Sequence, residues 1–81
     1  QRKPILAHCI PPKSGFILCL ERISVSGGKR WRDSSGERLY EWDTFHGDLE
    51  MYNERGRHLG TVDPITGALT KGPVKGRRID V

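Results

Sequence analysis

Between Tyr40 and Glu50 the chain reads YEWDTFHGDLE, which places Glu41, Asp43, His46, Asp48 and Glu50 within ten residues of one another. Crowded carboxylates repel, so something must offset the cost. Three readings fit these residue types. The acids can form a solvated outer face, paired with cations supplied by Arg55, Arg57, Lys71, Lys75, Arg77 and Arg78. Asp, His and Glu can ligate a metal ion, although their spacing matches no recognised ligand pattern. They can also carry general acid–base chemistry, because crowding and neighbouring charge move such groups toward the neutral range where proton transfer works best.

Any of these requires the side chains to meet. Strand side chains alternate between two faces. If Thr44, Phe45, His46 and Gly47 form a loop, Asp43 lies opposite Asp48, Trp42 opposite Leu49, Glu41 opposite Glu50 and Tyr40 opposite Met51. This register gathers Tyr40, Trp42, Leu49 and Met51 on one face, which favours it. The acids then share the other face, with His46 at the loop. Like charges directly across a ladder are destabilising, so that face needs cations nearby.

The rest of the chain fits the same architecture. Its 81 residues form one small domain with ten glycines, five prolines and six aromatics. RLYEWD, DLEMYN, RHLGTVD and ALTKG recur at about ten-residue intervals, and turn signals such as DSSGE, NERG and DPITG separate them. The expected fold is mainly β (α+β): an antiparallel sheet of about five strands behind a short N-terminal helical or irregular segment. Residues 1–27 read as an N-terminal arm and hydrophobic element, and 28–81 as the main part of a single globular unit. Within the former, GFILCLERISV leans to a helix with Ser14 as its N-cap. Cys9 and Cys19 fit no zinc spacing; two buried thiols are favoured over one disulfide. No apolar run approaches the roughly 20 residues that span a bilayer. A chain that starts at Gln1 and has Met51 as its only methionine is expected to be a piece of a larger protein.

Charge is segmented. Residues 1–38 carry eight Lys/Arg against three Asp/Glu, residues 39–66 two against six, and residues 67–81 four against one. The basic ends suit a polyanion such as nucleic acid. The acidic middle does not, unless its carboxylates have a task.

YEWDTFHGDLEMY, then HLGTVDPITGALTKGP and the basic KGRRI, resemble the cytotoxic ribosomal ribonuclease domain of the E-group colicins and cloacin. The same domain type ends S-type pyocins and contact-dependent growth inhibition toxins. The resemblance spans roughly residues 28–79. It implies a strongly twisted antiparallel sheet, metal-independent cleavage of small-subunit ribosomal RNA at the decoding centre, with no cofactor, and a dedicated immunity protein. The family's catalytic set falls on Asp43, His46 and Glu50, with Arg77 as the tail arginine and Arg78 as the alternative. Two departures stand out. The family's tail runs on with further lysines where this chain stops at Ile79-Asp80-Val81, and residues 1–27 resemble nothing in the colicins.

On this reading Glu50 is the general base, His46 the general acid, Arg77 the phosphate stabiliser, and Asp43 orients His46; base and acid can be exchanged. Lys29, Arg30, Arg32, Lys71, Lys75 and Arg78 are the expected RNA-phosphate contacts. Phe45, beside His46, is the best candidate to stack on a base, while Trp31 and Tyr52 are more at home in packing. His8 and His58 read as incidental, since strict alternation gives His58 the parity of Gly60 and Val62. The implied partners are the ribosome and an acidic immunity protein. The implied location is delivery from outside as part of a larger toxin, with action in the target-cell cytoplasm. A non-catalytic binding module and a metal-dependent nuclease are the competing classes.

Overall fold

A computed structural model describes residues 10–23, 25 and 28–81. Among these residues six strands form one antiparallel sheet: β1 (Glu21–Ile23), β2 (Arg30–Arg32), β3 (Arg38–Asp43), β4 (Asp48–Asn53), β5 (His58–Val62) and β6 (Leu69–Lys71). Their spatial order is their order in the chain, a plain meander. This is the mainly β fold the sequence predicts, with one strand more than expected.

The ten-residue rhythm has a local cause. Asp33, Asp43, Asn53 and Asp63 stand ten apart, each opening a turn. In every case a side-chain oxygen accepts backbone amides further along, from Gly36 and Arg38, from Phe45 and His46, from Arg55 and Arg57, and from Ile65 and Thr66. Such turns satisfy the backbone where the ladder stops. Burial pushes the Asp33 carboxyl up, but hydrogen bonds from Ser35 and the backbone outweigh it and leave it lowered. At Asp63 the Thr66 and Ile65 amides lower the carboxyl against slight desolvation.

The β3–β4 register is the predicted one, with Asp43 opposite Asp48, Trp42 opposite Leu49, Glu41 opposite Glu50 and Tyr40 opposite Met51. One face carries the core: Ile17, Trp31, Tyr40, Leu49 and Val62 are buried together, with Phe16, Leu20, Trp42 and Met51 against them. Leu49 is wholly inaccessible.

The expected helix over 15–25 is replaced by a single 3-10 turn, Phe16–Cys19, followed by β1. Gly15, not Ser14, holds the N-cap position, and no side chain caps the turn. Two interactions explain the break. The Phe16 and Ile17 amides bond the carbonyls of Ile65 and Pro64 at 2.7 and 2.9 Å, pinning the turn over the sheet. Leu20 is then extended, and Glu21–Ile23 pairs with β2, where the Arg22 guanidinium lies 5.2 Å from the Trp31 ring. Because Ile17 points into the core, Leu18 and Cys19 face outward. Cys19 is therefore exposed, not buried as expected, and Cys9 and His8 lie outside the described residues. Among the described residues no helix is long and apolar enough to cross a membrane.

Candidate active site

The face opposite the core is where the acids gather. At the β3–β4 loop, Asp43 divides its carboxylate between two tasks. Oδ1 accepts the Phe45 and His46 amides at 3.0 and 3.2 Å, and Oδ2 lies 2.7 Å from His46 Nδ1. Burial raises the Asp43 carboxyl, but the bonds from His46 and Phe45 prevail and hold it below the ordinary value. With Nδ1 turned to a carboxylate, His46 presents Nε2 outward on a side chain that is largely exposed. One ring nitrogen is thereby oriented and open to a ligand.

Glu50, on the neighbouring strand, is in a contrasting setting. It is buried, and its Oε1 accepts bonds from His58 Nε2 at 2.7 Å and Thr61 Oγ1 at 2.9 Å. The Arg77 guanidinium stands 3.8 Å from the same oxygen. Oε2 has no partner among the described residues. Since no buried side-chain oxygen among them lacks one, Oε2 must reach solvent. The pattern is a carboxylate held from one side and offered on the other.

His58 fixes the sense of these bonds. Its Nδ1 accepts the Val74 amide at 2.9 Å, so that nitrogen carries no proton and the hydrogen resides on Nε2, aimed at Glu50. The ring is buried and meets Tyr52 edge-on at 5.2 Å. Parity places His58 with the core, but the ladder between β4 and β5 shifts by one at Met51/Tyr52. That irregularity returns His58 to the face of Glu50, Tyr52 and Thr61. Burial pushes the Tyr52 phenol above 10.0, with Glu41 and Glu50 adding to the rise and a bond from Arg77 opposing it. Tyr52 therefore remains a neutral hydroxyl.

Arg77 comes from the C-terminal tail. The His58 amide bonds the Arg77 carbonyl at 3.0 Å, and the Ile79 amide bonds the Gly56 carbonyl at 2.9 Å. Gly56 has φ +85°, and a Cβ there would collide with the Ile79 carbonyl oxygen. Only glycine lets the tail lie this close. Asp43, His46, Glu50 and Arg77 then line one open hollow of about 440 Å³, with Phe45 exposed at its edge.

The remaining predicted residues are dispersed. Arg30 is largely buried, its Nε and NH2 at 2.9 and 2.7 Å from Glu41, so its charge is already matched. Arg32 pairs with Glu21 at 2.9 Å. Lys29, Lys71, Lys75 and Arg78 are exposed. Trp31 is in the core and Tyr52 is buried on the site face. Among the described residues no group of three or more His, Cys, Asp and Glu side chains is arranged to hold a metal ion. Sequence reasoning missed His58 and Thr61; a histidine within one position of the face of Glu50 was the available signal.

These residues lie in a segment with clear relatives. The family described as Cytotoxic matches residues 21–80, and the chain belongs to that family. It is 50% identical over 52 residues to Colicin E3 of Escherichia coli, covering 63% of this chain and 9% of that protein. It is 48% identical over 56 residues to Colicin-E6 and to Cloacin, both of Escherichia coli, in each case covering 65% of this chain and 10% of the relative. The chain thus spans about a tenth of the length of the curated relatives it matches.

Proposed function

We propose that the chain is the nuclease part of a bacterial toxin and cleaves small-subunit ribosomal RNA at the decoding centre, without a metal ion. One observation carries the reading: Glu50 is a buried carboxylate whose Oε1 is tied to His58, Thr61 and Arg77, and it lines the same hollow as His46. RNA carries its own nucleophile. Glu50 takes the proton of a ribose 2′-hydroxyl, and the 2′-oxygen bonds to phosphorus. Arg77 offsets the charge of the phosphorane. The bond from phosphorus to the 5′-oxygen then breaks as His46 Nε2 delivers a proton to that oxygen. The products are a 2′,3′-cyclic phosphate and a 5′-hydroxyl. Membership of the Cytotoxic family and likeness to colicins support a toxin's role. On that likeness the chain reaches a target cell as part of a longer protein, acts in its cytoplasm, and is kept harmless in the producer by an acidic immunity protein.

The test is to incubate ribosomes with the chain in EDTA, alongside Glu50→Gln and His46→Ala. Chelator-resistant cleavage that falls at least about 10²-fold in each variant is the expected result. Cleavage abolished by EDTA points to a metal nuclease, and no cleavage at all points to a binding module.

A further inference from the structure

A second cationic hollow adjoins the first. It measures about 480 Å³ and is framed by Arg57, Lys75, Arg77 and Arg78 above His58 and Val74. Its construction is unusual. Arg57 and Arg78 face each other across an isolated antiparallel bridge. The flanking bonds, His58 amide to Arg77 carbonyl and Ile79 amide to Gly56 carbonyl, make this a non-hydrogen-bonded pair. That is the position where opposite side chains come closest. Like charges set there destabilise a ladder. Among the described residues, Arg57, Lys75 and Arg78 form no ion pair. Glu54 lines an adjoining hollow with Arg57 and Arg78 yet bonds neither. Two arginines set opposite each other on a bridge, neither held in an ion pair, are suited to an anion with several acceptor oxygens.

We propose that this hollow holds a second, non-scissile phosphate of the bound RNA strand, adjacent to the phosphate that Arg77 faces. Arg77 lines both hollows and so joins the two positions along one strand. The proposal rests on the ribonuclease reading for its ligand, but the site has its own measurable properties. Arg57 and Arg78 act together as a clamp on the neighbouring phosphate. Substrates that extend beyond the scissile linkage gain from it, and a lone dinucleoside monophosphate does not.

Two measurements test this separately from catalysis. In the first, inorganic pyrophosphate is titrated into the intact chain at low salt and backbone amide shifts are followed. Shifts concentrated at residues 57 and 74–78 are expected, with affinity at least tenfold weaker in Arg57→Gln. Arg57→Gln should also be no less heat-stable than the parent without ligand, because one of two opposed charges is gone, and should lose the stabilisation that pyrophosphate gives the parent. Scattered shifts, or binding indifferent to the substitution, overturn the site. In the second, kcat/KM is compared between a dinucleotide and the same dinucleotide extended by one phosphate-linked residue on either side. The gain from extension should be at least tenfold and should shrink to about twofold in Arg57→Gln; an undiminished gain also overturns it. If pyrophosphate binds as expected while no RNA is cut, the site stands and the ribonuclease reading falls.

Discussion

His58 Nε2 lies 2.7 Å from Glu50 Oε1, and the Val74 amide occupies the other ring nitrogen at 2.9 Å. One buried imidazole therefore links the strand of Glu50 to the backbone of the tail that carries Arg77. His58→Ala removes two hydrogen bonds, worth about 1.5–3 kcal/mol for the one to the Glu50 carboxylate, which keeps Thr61 and Arg77, and about 0.5–1.5 kcal/mol for the one from the Val74 amide. Urea denaturation should show a loss of about 2–4 kcal/mol, and cleavage of ribosomal RNA at a temperature where the variant is folded should fall at least tenfold. A variant as stable and as active as the parent contradicts this linkage.

Asp43 serves the turn with one oxygen and His46 with the other. Asn53 shows that an amide oxygen suffices for the turn. Asp43→Asn should thus keep the thermal midpoint within a few degrees and lose activity about 10- to 100-fold, as expected when an acid–base group loses its orienting charge. Asp43→Ala should lose both, with stability down by about 1 kcal/mol from the missing turn bonds.

The turn aspartates also set acid sensitivity. Asp33, Asp43 and Asp63 have carboxyls lowered from 3.8 in the folded chain. A lowered folded value means that the stabilisation is complete above the unfolded value and is lost as pH falls through the folded one. The chain should lose this part of its stability below about pH 4. Thermal melts between about pH 5 and 2 should show a shallower acid decline when all three are replaced by Asn. An unchanged decline would assign acid lability to other groups.

Gly56→Ala tests the tail. The added Cβ meets the Ile79 carbonyl, and the residue must keep φ near +85°. A loss of at least about 1 kcal/mol is expected from strain alone. The Ile79 bond to Gly56 should open, and amide exchange at 77–79 should accelerate. Activity should fall with it, since Arg77 depends on that anchor. Protected amides with full activity would show that Arg77 is placed by other means.

How much of this was legible depended on how strongly each element was specified. The β3–β4 hairpin was readable to the residue, because only one register puts Tyr40, Trp42, Leu49 and Met51 together and the loop between them is short. The turns were readable because Asx and Gly mark them. His58 was not, because parity carries no record of the one-residue shift at Met51/Tyr52. β1 was also hidden: three residues have no period, and FILCLERI fits neither the helical nor the strand period well, so its form is settled only where Phe16 and Ile17 are tied to the turn at Pro64 and Ile65. Arg30 read as a surface cation since nothing in the spacing reveals that β2 pairs with β3 so as to set it against Glu41.

In the proposed mechanism Glu50, His46 and Arg77 turn a ribose hydroxyl on its own phosphodiester, and the ends of the cut strand record whether they do. The direct measurement is end-group analysis of ribosomal RNA cut in the presence of EDTA. A 2′,3′-cyclic phosphate on the upstream fragment and a 5′-hydroxyl on the downstream one are the expected result. A 3′-hydroxyl paired with a 5′-phosphate would mean that water, not the ribose, was the nucleophile, and would contradict the account at its centre.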